Sequence, residues 1–322
     1  MTLISIIIPV HNAGFRLKEC LDSLTNQTLK DIEIICVLDK PTDGSIEIVR
    51  EYATFDNRIV VVENIHNEHI AESRNKGLLI AKGEYIGFSD HDDCRSLDMY
   101  EILYSEAKKN DADIVFSNSY VNYITEKELV KYDNPTSDGV IRSIILPMHI
   151  KKNVNKLSKS IWASIYRKTF IDDNSLSFKD RRIYYEEDTL FNLKAFLLTQ
   201  KIAFCNKEFY TWNKLFESES SKPLWDIAEK QLNFLTVMID ILLETSKLEK
   251  YNAELKILIS DWIWRKENYP CYKNLSKEKK RSLLKLLLIA KMPLIGKSDE
   301  TKILSKKRLR FFFLFLSLFL LK

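Results

Sequence analysis

Between Tyr85 and Asp93 the chain reads Tyr85-Ile86-Gly87-Phe88-Ser89-Asp90-His91-Asp92-Asp93. An apolar run ends in three carboxylates within four residues, Asp90, Asp92 and Asp93. Like charges so close repel one another, and packing does not ask for them. A divalent cation would relieve the repulsion, because hard cations take oxygen ligands. The carboxyl end of a strand is also where open α/β sheets bind ligands. The chemistry suggested is a metal-assisted site for a phosphorylated substrate. The same residues also fit an acidic surface turn that caps the helix behind it. A second acidic group, Glu186-Glu187-Asp188, opens the run Thr189-Leu190-Phe191. A carboxylate there could act as a general base. Acids are equally favoured in the first turn of any helix by its dipole.

These groups need elements to hold them. Leu3–Val10 is a continuous isoleucine-rich run, as in a strand buried on both faces of a parallel sheet. Phe15–Gln27 has Leu17, Leu21 and Leu24 at helical spacing, and Ile34–Leu38 is a second strand. Thr42, Asp43 and Ser45 offer caps for a helix with Ile46, Val49 and Ala53 on one face. Strand Ile59–Val62, helix Ala71–Ala81, strand Tyr85–Phe88, helix Asp98–Lys109 and strand Ile114–Phe116 follow. Strands and helices alternating with short joints predict a doubly wound, mostly parallel α/β sheet.

Beyond about Tyr120 the pattern is mixed. Lys156–Phe170 and Asp188–Leu198 read as helices, Lys201–Cys205 and Glu208–Trp212 as strands. From Trp225 the chain is strongly helical, with Leu232, Leu235, Ile239 and Leu242 on one face, continuing through Glu254–Glu267 and Lys277–Ala290.

The first turn, Pro9-Val10-His11-Asn12-Ala13-Gly14-Phe15, has a single glycine. It lacks the glycine triplet of a dinucleotide fold and the Gly-Lys-Ser/Thr ending of a phosphate loop. Whatever holds phosphate here is not a glycine cradle, and attention returns to the carboxylates of Asp90–Asp93. The five histidines show no metal-ligand spacing, and His91 is left without a role.

Composition sets the limits. An apolar share of 45 % and a charged share of 29 % over 322 residues describe a globular chain. Five scattered cysteines, with no zinc-type pairing, read as reduced thiols of a cytosolic protein. The net charge of +4 is uneven: six of the 49 basic residues, and no acid, fall in Thr301–Lys322. The remaining 43 basic residues face 45 acidic ones, which argues against a nucleic-acid-binding face. Lys306-Lys307-Arg308-Leu309-Arg310 leads into Phe311–Leu321, apolar except for Ser317. That run is shorter than the ~20 residues of a bilayer-spanning helix. It suits an interfacial anchor, or a terminal helix docked on its own domain or on a partner.

The ordered pieces resemble the family 2 glycosyltransferases, inverting enzymes of GT-A fold that build bacterial surface polysaccharides. The likeness runs closely from Ile4 to about Asn118 and more loosely to about Ser221. It is carried by Ser5-Ile6-Ile7-Ile8-Pro9-Val10-His11-Asn12, Glu19-Cys20-Leu21-Asp22-Ser23-Leu24, Thr42-Asp43-Gly44-Ser45, Ser73-Arg74-Asn75-Lys76-Gly77, Ala81-Lys82-Gly83-Glu84-Tyr85, and Asp90-His91-Asp92-Asp93 at the Asp-x-Asp position. His11 stands in place of a usual tyrosine. Leu38-Asp39-Lys40-Pro41 replaces a more polar turn, which puts the tightness of nucleotide binding in question.

The resemblance implies roles. Pro9 and Asn12 would border the uracil and ribose pocket, and Asp39 would accept from the uracil ring. Arg74 would lie near the nucleotide; an ion pair with Glu72 or Glu68 is the plainer reading. Asp90 would face the ribose or donor sugar, and Asp92 would ligate Mn²⁺ or Mg²⁺ on the diphosphate. Asp188 would be the catalytic base, with Glu187 contacting the acceptor or orienting the loop. Trp162, Tyr166, Tyr210 and Trp212 could stack on sugar rings or belong to the core. On this reading residues 1–221 form the GT-A domain, 1–118 its nucleotide-binding half and 119–221 its acceptor half. Residues 222–300 form a helical region and 301–322 a membrane-associating tail.

The function implied is transfer of a hexose from a UDP-sugar to a glycan or glycolipid acceptor, at the cytoplasmic face of the cell membrane. No Gln-x-x-Arg-Trp motif marks a processive synthase. Two other readings stand beside it: an inactive membrane-docked binding protein of the same fold, and a sugar-phosphate nucleotidyltransferase. The latter would need the glycine-rich turn that Val10–Phe15 lacks.

Overall fold

The computed structural model describes residues 1–122, 127–130, 135–146, 160–213, 227–264 and 275–290. The tail 301–322 and the first part of the helix expected at Lys156–Phe170 lie outside them.

A nine-stranded sheet runs β3-β2-β1-β4-β8-β6-β9-β5, with β7 beside β6. Its first half is β1 (Ile4–Val10), β2 (Ile32–Leu38), β3 (Ile59–Glu63) and β4 (Tyr85–Phe88). These strands are parallel, with Val10 level with Leu38 and Ile7 level with Phe88. Every residue of β1, β2 and β4 is buried, as expected of strands covered on both faces. Helices α1 (Arg16–Thr25), α2 (Ser45–Phe55) and α3 (His69–Ile80) supply the crossovers. The order 3-2-1-4 reverses at β1, which makes a switch point at the carboxyl ends of β1 and β4.

The second half mixes directions. After β5 (Cys94–Arg95) and α4 (Met99–Lys109) come β6 (Ile114–Asn122), β7 (Lys127–Val130) and α5 (Ser137–Ile145). Then follow β8 (Ser164–Arg167), α6 (Lys168–Asp173), α7 (Glu187–Leu198) and β9 (Ile202–Asn213). Strand β8 runs antiparallel to β4 and β6, and β9 runs parallel to β6. The expected helix over Lys156–Phe170 is corrected: Ser164–Arg167 is a strand between β4 and β6. The two strands expected at 201–212 are one, its register against β6 slipping near Asn118.

The chain divides into two compact units, the second formed by Pro223 onward with Ile145–Pro147 and Arg182–Tyr185. In it α8 (Ile227–Glu244), α9 (Leu248–Trp264) and α10 (Lys277–Ile289) are the described helices. Leu232, Leu235, Ile239 and Leu242 on α8 are all buried, as their spacing requires. Tyr185 packs edge-on against Trp262. Among the described residues no helix is long and apolar enough to cross a membrane.

Candidate active site

The candidate residues gather around the carboxyl ends of the parallel strands. The turn after β1 and the turn after β2 are tied together: Asn12 Oδ1 accepts from the Thr42 amide at 2.7 Å, and Asp43 Oδ2 accepts from the Gly14 amide at 2.9 Å. Burial alone would raise the Asp43 carboxyl, yet hydrogen bonds from Ser45 and Gly14 hold it below the usual carboxylate range. Asn12, Lys40 and His69 all sit at positive φ (48°, 52° and 69°), so backbone strain collects around this edge. Pro9 is buried in β1, and its carbonyl lies 3.1 Å from His91 Nδ1. That contact joins the end of β1 to the acidic turn and gives His91 a structural role.

Asp39 is buried at the end of β2. Its Oδ1 accepts from Asn64 Nδ2 and the Glu68 amide, both at 2.7 Å, and its Oδ2 accepts from the His69 amide at 2.8 Å. It therefore caps α3 from another strand. Helix α3 also lies flat on the sheet, because a Cβ on Gly77 would overlap the Ile7 side chain.

One and a half turns into α3, Arg74 is 2 % exposed and sits among three carboxylates. Its Nη1 donates to Asp188 Oδ1 at 2.5 Å and Glu187 Oε1 at 3.2 Å, and its Nη2 to Asp90 Oδ1 at 3.0 Å. The guanidinium rests 5.2 Å above the ring of Phe178, which stacks on Phe191 at 4.3 Å. Burial disfavours the arginine's charge, but Asp188, Asp90 and Glu187 together raise its pKa above the ordinary value. The ion pair weighed for Arg74 exists, with partners other than Glu68 and Glu72; Glu68 pairs with Lys76 instead, at 2.7 Å.

Glu187 and Asp188 begin α7, and Glu186 before them is in the left-handed region at φ 54°. Glu187 is buried, with Arg181 3.9 Å away, which fits orienting the loop better than meeting an acceptor. Asp188 is 23 % exposed. Burial lifts its carboxyl to about 7 despite Arg74, with Glu187 and Asp90 adding to the rise. Two unit charges ~4 Å apart interact by roughly 4 kcal/mol at an effective dielectric near 20, so one arginine does not neutralise three carboxylates. A partly exposed carboxyl titrating near neutrality has the properties of a general base.

The three aspartates after β4 separate by orientation. Asp90, 30 % exposed, faces Arg74. Asp93 turns inward, where it accepts 2.8 Å from the Tyr210 hydroxyl and 2.7 Å from the Asn213 amide. Burial, with Asp90 and Asp92 nearby, pushes it well above the carboxylate range. Asp92 is half-buried, and its carboxyl is also raised by burial, with His91 opposing and Asp90 adding. Among the described residues no side chain donates to it. Nor does any group of three or more His, Cys, Asp or Glu residues there hold an ion unaided. Magnesium-like ions commonly bind through one or two carboxylates plus substrate phosphates. The donor set at Asp92 fits an ion that arrives with a diphosphate.

Sequence reasoning missed two supports of this turn. Asn213 Nδ2 donates 2.8 Å to the Asp92 carbonyl, and Arg95 Nη2 donates 2.9 Å to that of Asp93 and 2.7 Å to Ser89 Oγ. The first depends on β9 pairing with β5, a contact across more than a hundred residues with no local signal; the second is local, within six residues of Ser89. Of the four aromatic residues singled out, Trp162, Tyr166 and Tyr210 are core, and Trp212 is half-buried beside Asn213.

A reversed parallel sheet with carboxylates past its fourth strand, facing a base-like aspartate on a later helix, defines a transferase of GT-A type. The profile of the Glycosyl transferase family 2 matches residues 5–185, and the chain belongs to that family. It is 33 % identical over 212 residues to the uncharacterized glycosyltransferase EpsJ of Bacillus subtilis, covering 66 % of this chain and 61 % of EpsJ. It is 33 % identical over 205 residues to the poly(ribitol-phosphate) beta-glucosyltransferase of Bacillus spizizenii, covering 62 % of this chain but 30 % of that protein. The chain thus spans less than two thirds of either relative. Among solved structures, S. aureus TarS in complex with UDP-GlcNAc superposes with a TM-score of 0.70 at 19 % identity, over 90 % of this chain and 82 % of TarS.

Proposed function

We propose that this glycosyltransferase moves a hexose from a UDP-sugar to a glycan acceptor, with inversion and with a divalent cation on the diphosphate. The observation that carries the reading is the joining of Asp188 and Asp90 by the single guanidinium of Arg74. The carboxyl proposed as acceptor base and the one proposed for the donor side thus share one cation. In an inverting transfer the acceptor oxygen approaches the anomeric carbon from the face opposite the departing diphosphate, so its base would have to lie near the donor-side carboxylate.

Asp188 takes the acceptor hydroxyl's proton as the new C–O bond forms and the bond to the diphosphate breaks. Glu187 fixes the start of α7. Asp90 faces the ribose or donor sugar. Pro9 and Asn12 border the nucleoside. Asp39 would accept from the uracil ring through Oδ2, which takes one hydrogen bond where Oδ1 takes two. Asp92 would hold Mn²⁺ or Mg²⁺, which when bound stabilises the charge on the leaving diphosphate. TarS is a neighbour captured with a UDP-sugar, which supports that donor class.

The acceptor is placed on a lipid carrier in surface-polysaccharide synthesis, at the inner face of the cell membrane. The motive is the basic, apolar segment 306–321, since a lipid-borne acceptor rewards an enzyme held at the bilayer. Residues 1–221 would carry the chemistry, 222–300 a helical region, and 301–322 the membrane contact.

Incubation with a panel of UDP-sugars, Mn²⁺ and lipid-linked acceptor extract, followed by assay of free UDP, tests the activity. No release with any donor would sink it. In parallel, Asp92→Asn should remove the part of UDP's thermal stabilisation that depends on Mn²⁺; an unchanged melting shift would exclude Asp92 as the metal residue.

A further inference from the structure

We infer that Arg74 is a positioning residue that sets the distance between the acceptor base Asp188 and the donor-side Asp90, and that it does not touch the nucleotide. The inference builds on the transferase reading above, in which an arginine in this place would otherwise be taken as a phosphate ligand.

Three observations support it. The first is engagement. Three of the five guanidinium N–H groups go to carboxylates, and the side chain is 2 % exposed. The remaining polar atom, Nε, is buried without a hydrogen-bond partner, so it is not presented to solvent or ligand. The second is charge. One cation among three carboxylates leaves the cluster net negative, and a diphosphate brought against it would meet repulsion. The third is mechanical. Helix α3 is fixed at its N-terminus by Asp39, whose carboxylate receives the Glu68 and His69 amides. It is fixed again at Gly77, where the sheet leaves no room for a Cβ. Arg74 lies between these attachments, with Phe178 under its guanidinium. A short, twice-anchored segment of helix therefore carries the fork that grips both the turn after β4 and the start of α7.

The fork itself matters. A planar guanidinium can direct separate N–H groups at two carboxylates, whereas a lysine ammonium offers one point charge. Arg74→Lys should therefore keep the charge and lose the spacing. The expected result is a fall in kcat on the order of 100-fold, the scale of a misplacement of about 1 Å at reacting groups. The Kd for UDP with Mn²⁺ should change by less than about tenfold, well short of the loss in kcat.

A second measurement does not need turnover. In wild type, Asp188→Asn removes one of three carboxylates that share Arg74. In an Arg74→Met background it removes one of three with no cation, so its effect on the melting temperature should be more positive there, by roughly 5 °C or more. An equal shift in both backgrounds would overturn the link between the two residues. A UDP Kd weakened about tenfold or more in Arg74→Lys, with kcat at saturation unchanged, would instead make Arg74 a nucleotide ligand. If wild type turns over no UDP-sugar, the donor assignment fails, while the melting comparison still decides whether Arg74 holds Asp188. Should Arg74→Met not fold, the same comparison is made in Arg74→Gln, which also removes the cation, with the same two outcomes.

Discussion

The indole of Trp162 lies flat on the ring of Tyr210, centroids 4.4 Å apart at 16°. Behind that stack the Tyr210 hydroxyl donates to Asp93 and receives the Asp90 amide at 3.2 Å, so an aromatic pair in the core sets the shape of the acidic turn. Tyr210→Phe keeps the stack and deletes both hydrogen bonds. Two buried polar groups lose a partner, which costs about 1–3 kcal/mol each at most. The expected result is a lower melting temperature and a weaker Mn²⁺ requirement curve for UDP release, read as a raised half-saturating Mn²⁺ concentration. Unchanged Mn²⁺ dependence would separate Tyr210 from the turn's function.

Asp188 sets the pH dependence. As the base it must be ionised, and its carboxyl titrates at about 7, so kcat should rise through neutrality and level off on the alkaline side. Asp188→Asn should abolish that limb together with the activity. A pH–rate profile flat between pH 5.5 and about 8 would remove Asp188 from the role.

The same residue makes an opposite prediction for stability. Its proton is bound more tightly in the folded state, at about 7, than at the ordinary 3.8 of an unfolded chain. Its favourable contribution is therefore fully present below the unfolded value and is lost as pH rises through the folded one. At pH 8 an amide that needs no proton should stabilise, and Asp188→Asn should melt higher by roughly 3–6 °C, equivalent to about 1–2 kcal/mol. Thermal denaturation at pH 5 and pH 8 checks the sign: the gain should shrink at the lower pH.

Gly77→Ala tests how tightly α3 is seated. The added methyl would overlap Ile7 in the middle of β1, where strands on both sides prevent movement. Overpacking of this kind costs about 1–3 kcal/mol, so a clear drop in denaturant midpoint is expected. The loss from Ile7→Ala should be smaller in the Gly77→Ala chain than in wild type, because the overlapping Cγ2, Cγ1 and Cδ1 atoms all belong to that side chain.

Much of the first hundred residues was legible in the sequence because parallel strands buried on both faces leave continuous apolar runs. β1, β2 and β4 coincide with such runs, and Asp90 falls where the switch point requires. The second half was less so. Ser164–Arg167, within Ile161–Tyr166-rich apolar sequence, is a four-residue strand with no room for alternation, and tertiary pairing decided its state. Asp188 could be found by motif, but its hold on Arg74 spans 114 residues and has no local trace. The three aspartates looked alike on paper. Their different fates come from Arg74, from Tyr210 with Asn213, and from solvent, none of which is encoded in the motif itself.

The described cysteines have a practical consequence. Cys20, Cys36 and Cys205 are buried, and burial raises the thiols of Cys20 and Cys36 well clear of physiological reactivity. Cys94 adjoins Asp93 directly and is only half-buried, so although burial raises its thiol as well it is the most accessible of the four. Alkylating probes should therefore label Cys94 ahead of those three, and a fluorophore there would report on the acidic turn each time nucleotide enters or leaves.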